Sequence, residues 1–163
     1  WSPPIRIDDT DVGSPGSHSV VIDDFGVVTV AWEQGTEWGD KNVWVRRFAP
    51  DGGWLDAGLL ETPLDDPDTG GPLGSSNPAI AALPDGGAVV VWSRDTSWQS
   101  SSVYASRFSA SVGWSQRTLV GSNGTMTSTT PRVAVLPDGR AVVVWVATAP
   151  PSSVPFIYAT TCE

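Results

Sequence analysis

Several things are nearly missing from this 163-residue sequence. There is one cysteine, Cys162, so no disulfide can form within the chain. Lys41 is the only lysine, and His18 the only histidine. A lone histidine and a lone cysteine at opposite ends of the sequence give no metal-ligand spacing and no specific nucleophile–base pair. No run approaches the roughly 18 consecutive apolar residues that a membrane-crossing helix needs. No segment shows the 3.6-residue periodicity and capping residues of a helix. Positive charge is scarce, with 9 basic against 18 acidic residues and a net charge of −9. A phosphate backbone or an anionic membrane surface would be repelled by most of such a surface, so nucleic acid is not an expected partner.

What the sequence has instead is 17 Gly, 14 Pro and 9 Trp, with valine carrying much of the remaining apolar content. This composition suits pleated sheets joined by tight turns. It is also arranged in repeats. His18-Ser-Val-Val-Ile-Asp-Asp-Phe-Gly-Val-Val-Thr-Val-Ala-Trp32 aligns without gaps with Pro78–Trp92 and with Pro131–Trp145. Gly26, Gly86 and Gly139 each stand six residues before the tryptophan. Downstream, Asn42–Phe48 matches Ser102–Phe108 and, more loosely, Phe156–Cys162, and Gly53-Trp54 matches Gly113-Trp114. Trp1–Ile7 fits the segment that begins at Trp114.

Each repeat reads as four short strands, A to D. In the second copy A is Pro78–Leu83, Pro84-Asp-Gly-Gly87 is a hairpin turn, B is Ala88–Trp92, C is Val103–Phe108, and D begins at Trp114. Strand B is apolar on both faces and is expected inside a sheet covered on both sides. Sheets of this kind bury their faces by stacking radially, so the expected fold is an all-β propeller with three four-stranded blades, at about 1–53, 54–113 and 114–163. The strand order is D, ABCD, ABCD, ABC, which leaves the last blade without its D strand and the N-terminal strand without a blade. Three blades do not close a ring. The expectation is a homodimer forming a six-bladed ring, with residues 1–8 of each chain closing the last blade of the other. The competing account is that residues 1–163 belong to a longer propeller or a filament.

The Asp-x-x-Gly, Val-x-Trp and Gly-Trp blocks resemble a bacterial extracellular propeller-repeat family grouped with sialidase-like propellers. The resemblance is carried by Asp85–Trp92, Asp138–Trp145, Gly53-Trp54 and Gly113-Trp114, and with the aligned first copy it covers nearly the whole chain. It implies a fold and no activity. The Ser-x-Asp-x-Gly-x-x-Trp box of sialidases is absent. The start at Trp1 rather than Met suggests a processed form or a fragment, and with the composition it leads to an expected secreted, extracellular location.

The A–B and C–D turns are short and share one face of the expected ring. The longer, variable B–C and D–A loops share the other, where binding is expected. Trp38 and Trp98 each stand six residues after a strand B tryptophan, flanked by Glu37, Asp40, Arg94 and Asp95. An indole face covers the apolar face of a pyranose and polar neighbours take its hydroxyls, so these six residues are the candidate glycan site. The alternative is that both tryptophans pack on an adjacent blade. Asp9/Asp11 and Asp66/Asp68 repeat an Asp-x-Asp-x-Gly pattern able to present oxygens to Ca²⁺, or simply to form solvated turns. Trp1, Trp32, Trp54, Trp92, Trp114 and Trp145 recur at framework positions and are expected in the core. Cys162, aligned with Phe48 and Phe108, is expected to be a buried thiol. Arg47 and Arg107 occupy equivalent positions and read as framework. The functional expectation is a non-catalytic, lectin-like module. A structural or protein-interaction subunit of an extracellular assembly comes second, and a glycosidase-like enzyme third.

Overall fold

The structure is a computed structural model, and it describes residues 3–8, 13–35, 40–55, 58–59, 64–65, 72–121 and 124–162. All regular structure in these residues is β. The first repeat holds β1 (Pro15–Ile22), β2 (Val28–Gly35), β3 (Lys41–Ala49), β4 (Gly53–Trp54) and β5 (Gly58–Leu59). A small pair, β6 (Leu64–Asp65) and β7 (Pro72–Leu73), leads to the second repeat. That repeat holds β8 (Ser75–Ala82), β9 (Ala88–Ser97), β10 (Ser100–Ser109), β11 (Gly113–Trp114) and β12 (Thr118–Gly121). The third holds β13 (Thr127–Val135), β14 (Ala141–Thr148) and β15 (Phe156–Cys162).

Each repeat is an antiparallel meander, ordered β1-β2-β3-β4 in the first. The expected D strand is present as two pieces, β4 and β5 on β3, then β11 and β12 on β10. The tight turn into each D strand ends on a glycine at positive φ, 76° at Gly53 and 83° at Gly113, conformations that glycine adopts without strain. One parallel pairing, Ser101 with Thr127, merges the second and third repeats into an eight-stranded sheet. The third repeat has three strands among the described residues.

The B strands stand where their apolar runs place them. In β9, Val89, Val90, Val91 and Trp92 are all buried. Alternate residues serve different neighbours. Val90 and Trp92 join Ala31, Val43 and Val45 of the first repeat in one core. Val89 and Val91 join Val143, Trp145 and Ala147 of the third in another. Trp32 and Trp145 are also buried. Trp54 and Trp114 are half-buried, set edge-on to Phe48 and Phe108 with centroids 5.4 Å apart in both repeats. Trp1 lies outside the described residues.

Arg47 links repeats, as a framework residue should. Its guanidinium lies 3.9 Å from the centroid of the Phe108 ring and donates to the Gly86 carbonyl at 3.2 Å, with Asp23 3.8 Å away. Arg107 makes the same reach to the Gly139 carbonyl, at 3.4 Å. Loss of charged hydrogen bonds of this kind costs about 1–3 kcal/mol. Arg47→Ala is therefore expected to lower the urea midpoint clearly, and Arg107→Ala to lower it less.

Two expectations need correction. The second copy has no long B–C loop: β9 and β10 continue as one hairpin, with Ser97 opposite Ser100, and Trp98-Gln99 forms its tip. Cys162 is half-buried rather than enclosed. It lines a cleft of about 340 Å³ between the second and third repeats, where burial raises its thiol pKa and the nearby Arg107 opposes the rise.

Candidate functional site

The long-loop ends of the first two repeats are unusually polar inside. Directly after the strand B tryptophans come Glu33-Gln34, Ser93-Arg94 and Val146-Ala147. On the facing strand, Asn42 aligns with Ser102 and Phe156. The first two members of each set are buried, so the interior changes from polar to apolar from the first repeat to the third.

Glu33 is the fixed centre of this region, with its side chain 6% exposed. Lys41 Nζ donates to Oε1 at 2.7 Å, and the Asn77 backbone N–H donates to Oε2 at 3.0 Å. Asn77 can deliver that N–H because it sits at φ 55° in the bulge before Pro78, where β8 shifts register against β9. Burial alone would raise the Glu33 pKa. The hydrogen bonds from Lys41 and Asn77 outweigh it, and the net shift is downward. The carboxylate stays ionised, which suits a hydrogen-bond acceptor and not a general acid.

Arg94 is buried, not in a loop as expected, and donates to Ser75 Oγ at 3.3 Å across the pair that joins β8 and β9. Asp95 is the first residue of β9 to open outward. Its backbone N–H donates to the Gly74 carbonyl at 3.0 Å. Burial on its inner side raises its carboxyl pKa, and Arg94 opposes the rise. Asn42 Oδ1, Ser93 Oγ and Ser102 Oγ are buried without a hydrogen-bond partner among the described residues. Such groups carry a standing cost unless something supplies the bond.

Trp98 stands at the hairpin tip, 77% exposed, and so does not pack on a neighbouring repeat. The hairpin that carries it is tied by hydroxyls: Ser97 and Thr96 Oγ lie 2.7 and 2.9 Å from Ser100 Oγ. Of the other expected site residues, Asp40 is half-buried just before β3. Trp38 and Glu37 lie outside the described residues, as do the calcium candidates Asp9, Asp11, Asp66 and Asp68. The structure therefore brings together Arg94, Asp95 and Trp98 on one hairpin.

The residues that sequence reasoning missed are Glu33, Asn42, Ser75, Asn77, Ser93 and Ser102. For four of them the signal was in the repeat alignment. Glu33 and Ser93 stand where the third copy has Val146, and Asn42 and Ser102 where it has Phe156. Ser75 and Asn77 align with the polar Ser128 and Thr130 and carried no such signal.

No family model and no curated protein matches this sequence. Among solved structures, a Hadza microbial sialidase superposes with a TM-score of 0.70 at 13% identity, over 91% of this chain and 35% of its own. An ulvan lyase of family PL25 gives 0.70 at 9% identity, over 90% and 41%. The Penicillium chrysogenum α-L-arabinanase complexed with arabinobiose gives 0.59 at 13% identity, over 89% and 45%. The chain spans between about a third and a half of these structures. They show that its fold is propeller-type, with sheets stacked as in a propeller and no closed ring within the described residues.

Proposed function

We propose that this chain is an extracellular, non-catalytic glycan-binding module whose ligand sits on the long-loop end of the first two blades. One observation carries the reading. An exposed indole, Trp98, stands on a rigid hairpin whose base is lined with buried hydroxyl, amide and charged groups. A sugar meets that arrangement with an apolar ring face and a rim of hydroxyls. Asn42, Ser93 and Ser102 keep the interior of the first two blades polar at this end. The structural neighbours named for sialic acid, arabinan and ulvan chemistry support a carbohydrate ligand by fold alone. Glu33, held ionised and bonded on both oxygens, supports recognition over catalysis.

The experiment is a glycan array followed by titration of the strongest ligand. The chain should bind, and Trp98→Ala should weaken binding tenfold or more while leaving thermal stability within about 0.5 kcal/mol, the usual range for an exposed substitution. Binding that survives Trp98→Ala unchanged rejects the site, and an array with no ligand rejects the function.

The reading includes an assembly of two copies into a six-bladed ring. Its support is the exposure of apolar residues on both end sheets. Val20 and Ile22 of β1 are 62% and 63% exposed, and Ile157 of β15 is 80% exposed. Ile80, which aligns with Val20, is only 8% exposed in the core shared with the first repeat. Apolar patches of this kind mark interaction surfaces.

A further inference from the structure

All nine basic side chains of the sequence lie in the described residues, and each is already engaged. Arg47, Arg107 and Arg140 are committed to the short-turn end, where they bond to the carbonyls of Gly86 and Gly139 and to the Asp138 carboxylate. Arg46 donates to the Ile7 carbonyl at 2.7 Å, and Arg132 to the Pro131 carbonyl at 2.8 Å. Arg117 lies 5.7 Å from the centroid of the Tyr104 ring. Arg6 holds both oxygens of Asp8, at 3.0 and 3.2 Å.

The remaining two cations belong to the long-loop end. Lys41 is paired with Glu33 at 2.7 Å. Arg94 is 2% exposed and donates to Ser75 Oγ. Neither offers an uncommitted positive charge to a ligand resting on the exposed indole of Trp98. The charge that is offered there is negative. Asp95 is exposed, and its carboxylate accepts no hydrogen bond from any described residue. It stands three residues before Trp98 on the same hairpin, within about 10 Å along an extended strand, the reach of two linked sugar rings. A sugar carboxylate or sulfate is normally held by a positive donor, most often the arginine fork. At this hairpin an acid group would meet the Asp95 charge with no donor to offset it.

We infer that the ligand of the Trp98 hairpin is a sugar without acid groups, and that Asp95 turns away uronic-acid and sulfated sugars of the same shape. This rests on the glycan-binding reading above and narrows its ligand class. The net charge of −9 acts in the same direction from farther off, but exposed charges beyond about 8–10 Å are largely screened at ordinary salt. The discrimination is therefore local to Asp95.

The test is one glycan array, holding uncharged, sialylated, uronic-acid and sulfated glycans, read with the native chain and three variants. The native chain should bind uncharged or amino glycans, and counterparts that carry an acid group should bind about tenfold more weakly or worse. Asp95→Asn should narrow that difference and Asp95→Lys should reverse it, both with uncharged ligands still bound. Asp51→Asn makes the same change in net charge as Asp95→Asn at an exposed position in a short turn on the opposite face, and it should leave the difference as it was. Strongest binding of acidic glycans by the native chain would overturn the inference and leave the glycan-binding reading. Discrimination unmoved by both Asp95 variants, or moved equally by Asp51→Asn, would overturn the role of Asp95. An array with no ligand would overturn the reading and the inference together.

Discussion

Trp92→Ala is expected to destabilise the chain by about 3–5 kcal/mol, the range for removing a buried tryptophan from a core. Trp92 is fully buried, stacked on Tyr104 with ring centroids 6.4 Å apart and planes 27° from parallel. It sits in the core that joins the first and second repeats, with Ala31, Val43, Val45 and Val90. The small and β-branched residues around it have little reach to fill the space it leaves. Domains of this size have total stabilities of about 5–15 kcal/mol, so this loss removes a large share. Urea unfolding of the variant beside Trp98→Ala checks the claim. The two tryptophans stand six residues apart on one hairpin, and only Trp92→Ala should move the midpoint. A large shift from Trp98→Ala would mean that its indole is packed.

Glu33→Gln is expected to cost about 1–3 kcal/mol near neutral pH, the cost of leaving buried polar groups badly paired. A glutamine keeps one acceptor for the Asn77 N–H, but its amide then presents donors to the Lys41 ammonium, which also donates. The pH dependence gives a sharper reading. The folded pKa of Glu33 lies below its ordinary value, so its contribution is fully present above the unfolded-chain pKa. It is lost as pH falls through the lower folded value. The stability gap between the native chain and Glu33→Gln should therefore narrow in acid, as measured by urea unfolding across pH. Parallel curves down to strongly acidic pH would show that the carboxylate is not held by Lys41 and Asn77.

These two residues also mark what the sequence made legible. Trp92 was readable because three gapless copies put a tryptophan six residues after a glycine. Those glycines, Gly26, Gly86 and Gly139, do take positive φ of 79°, 79° and 86° in their turns. The Arg47 and Arg107 links were readable for the same reason. Glu33 was not, because it looks like the first loop residue after an apolar run. Nor was the extension of β9 through Ser93-Arg-Asp-Thr-Ser97, which has the composition of a loop. It is a strand because Ser100–Ser102 face it and cross-strand hydroxyl contacts take the place of apolar packing. The same extension took Arg94 out of the loop and buried it, and it raised Trp98 to a tip. Local composition could not show this, because the deciding partners stand on the neighbouring strand.

The position of the ligand is the central claim, and backbone hydrogen exchange of the chain with and without the strongest array glycan tests it most directly. Protection should rise in 74–77 and 93–101, around Glu33, Arg94 and the Trp98 hairpin. It should be unchanged in the short turns at 84–87 and 137–140. Protection confined to those short turns, on the opposite face, would contradict the account.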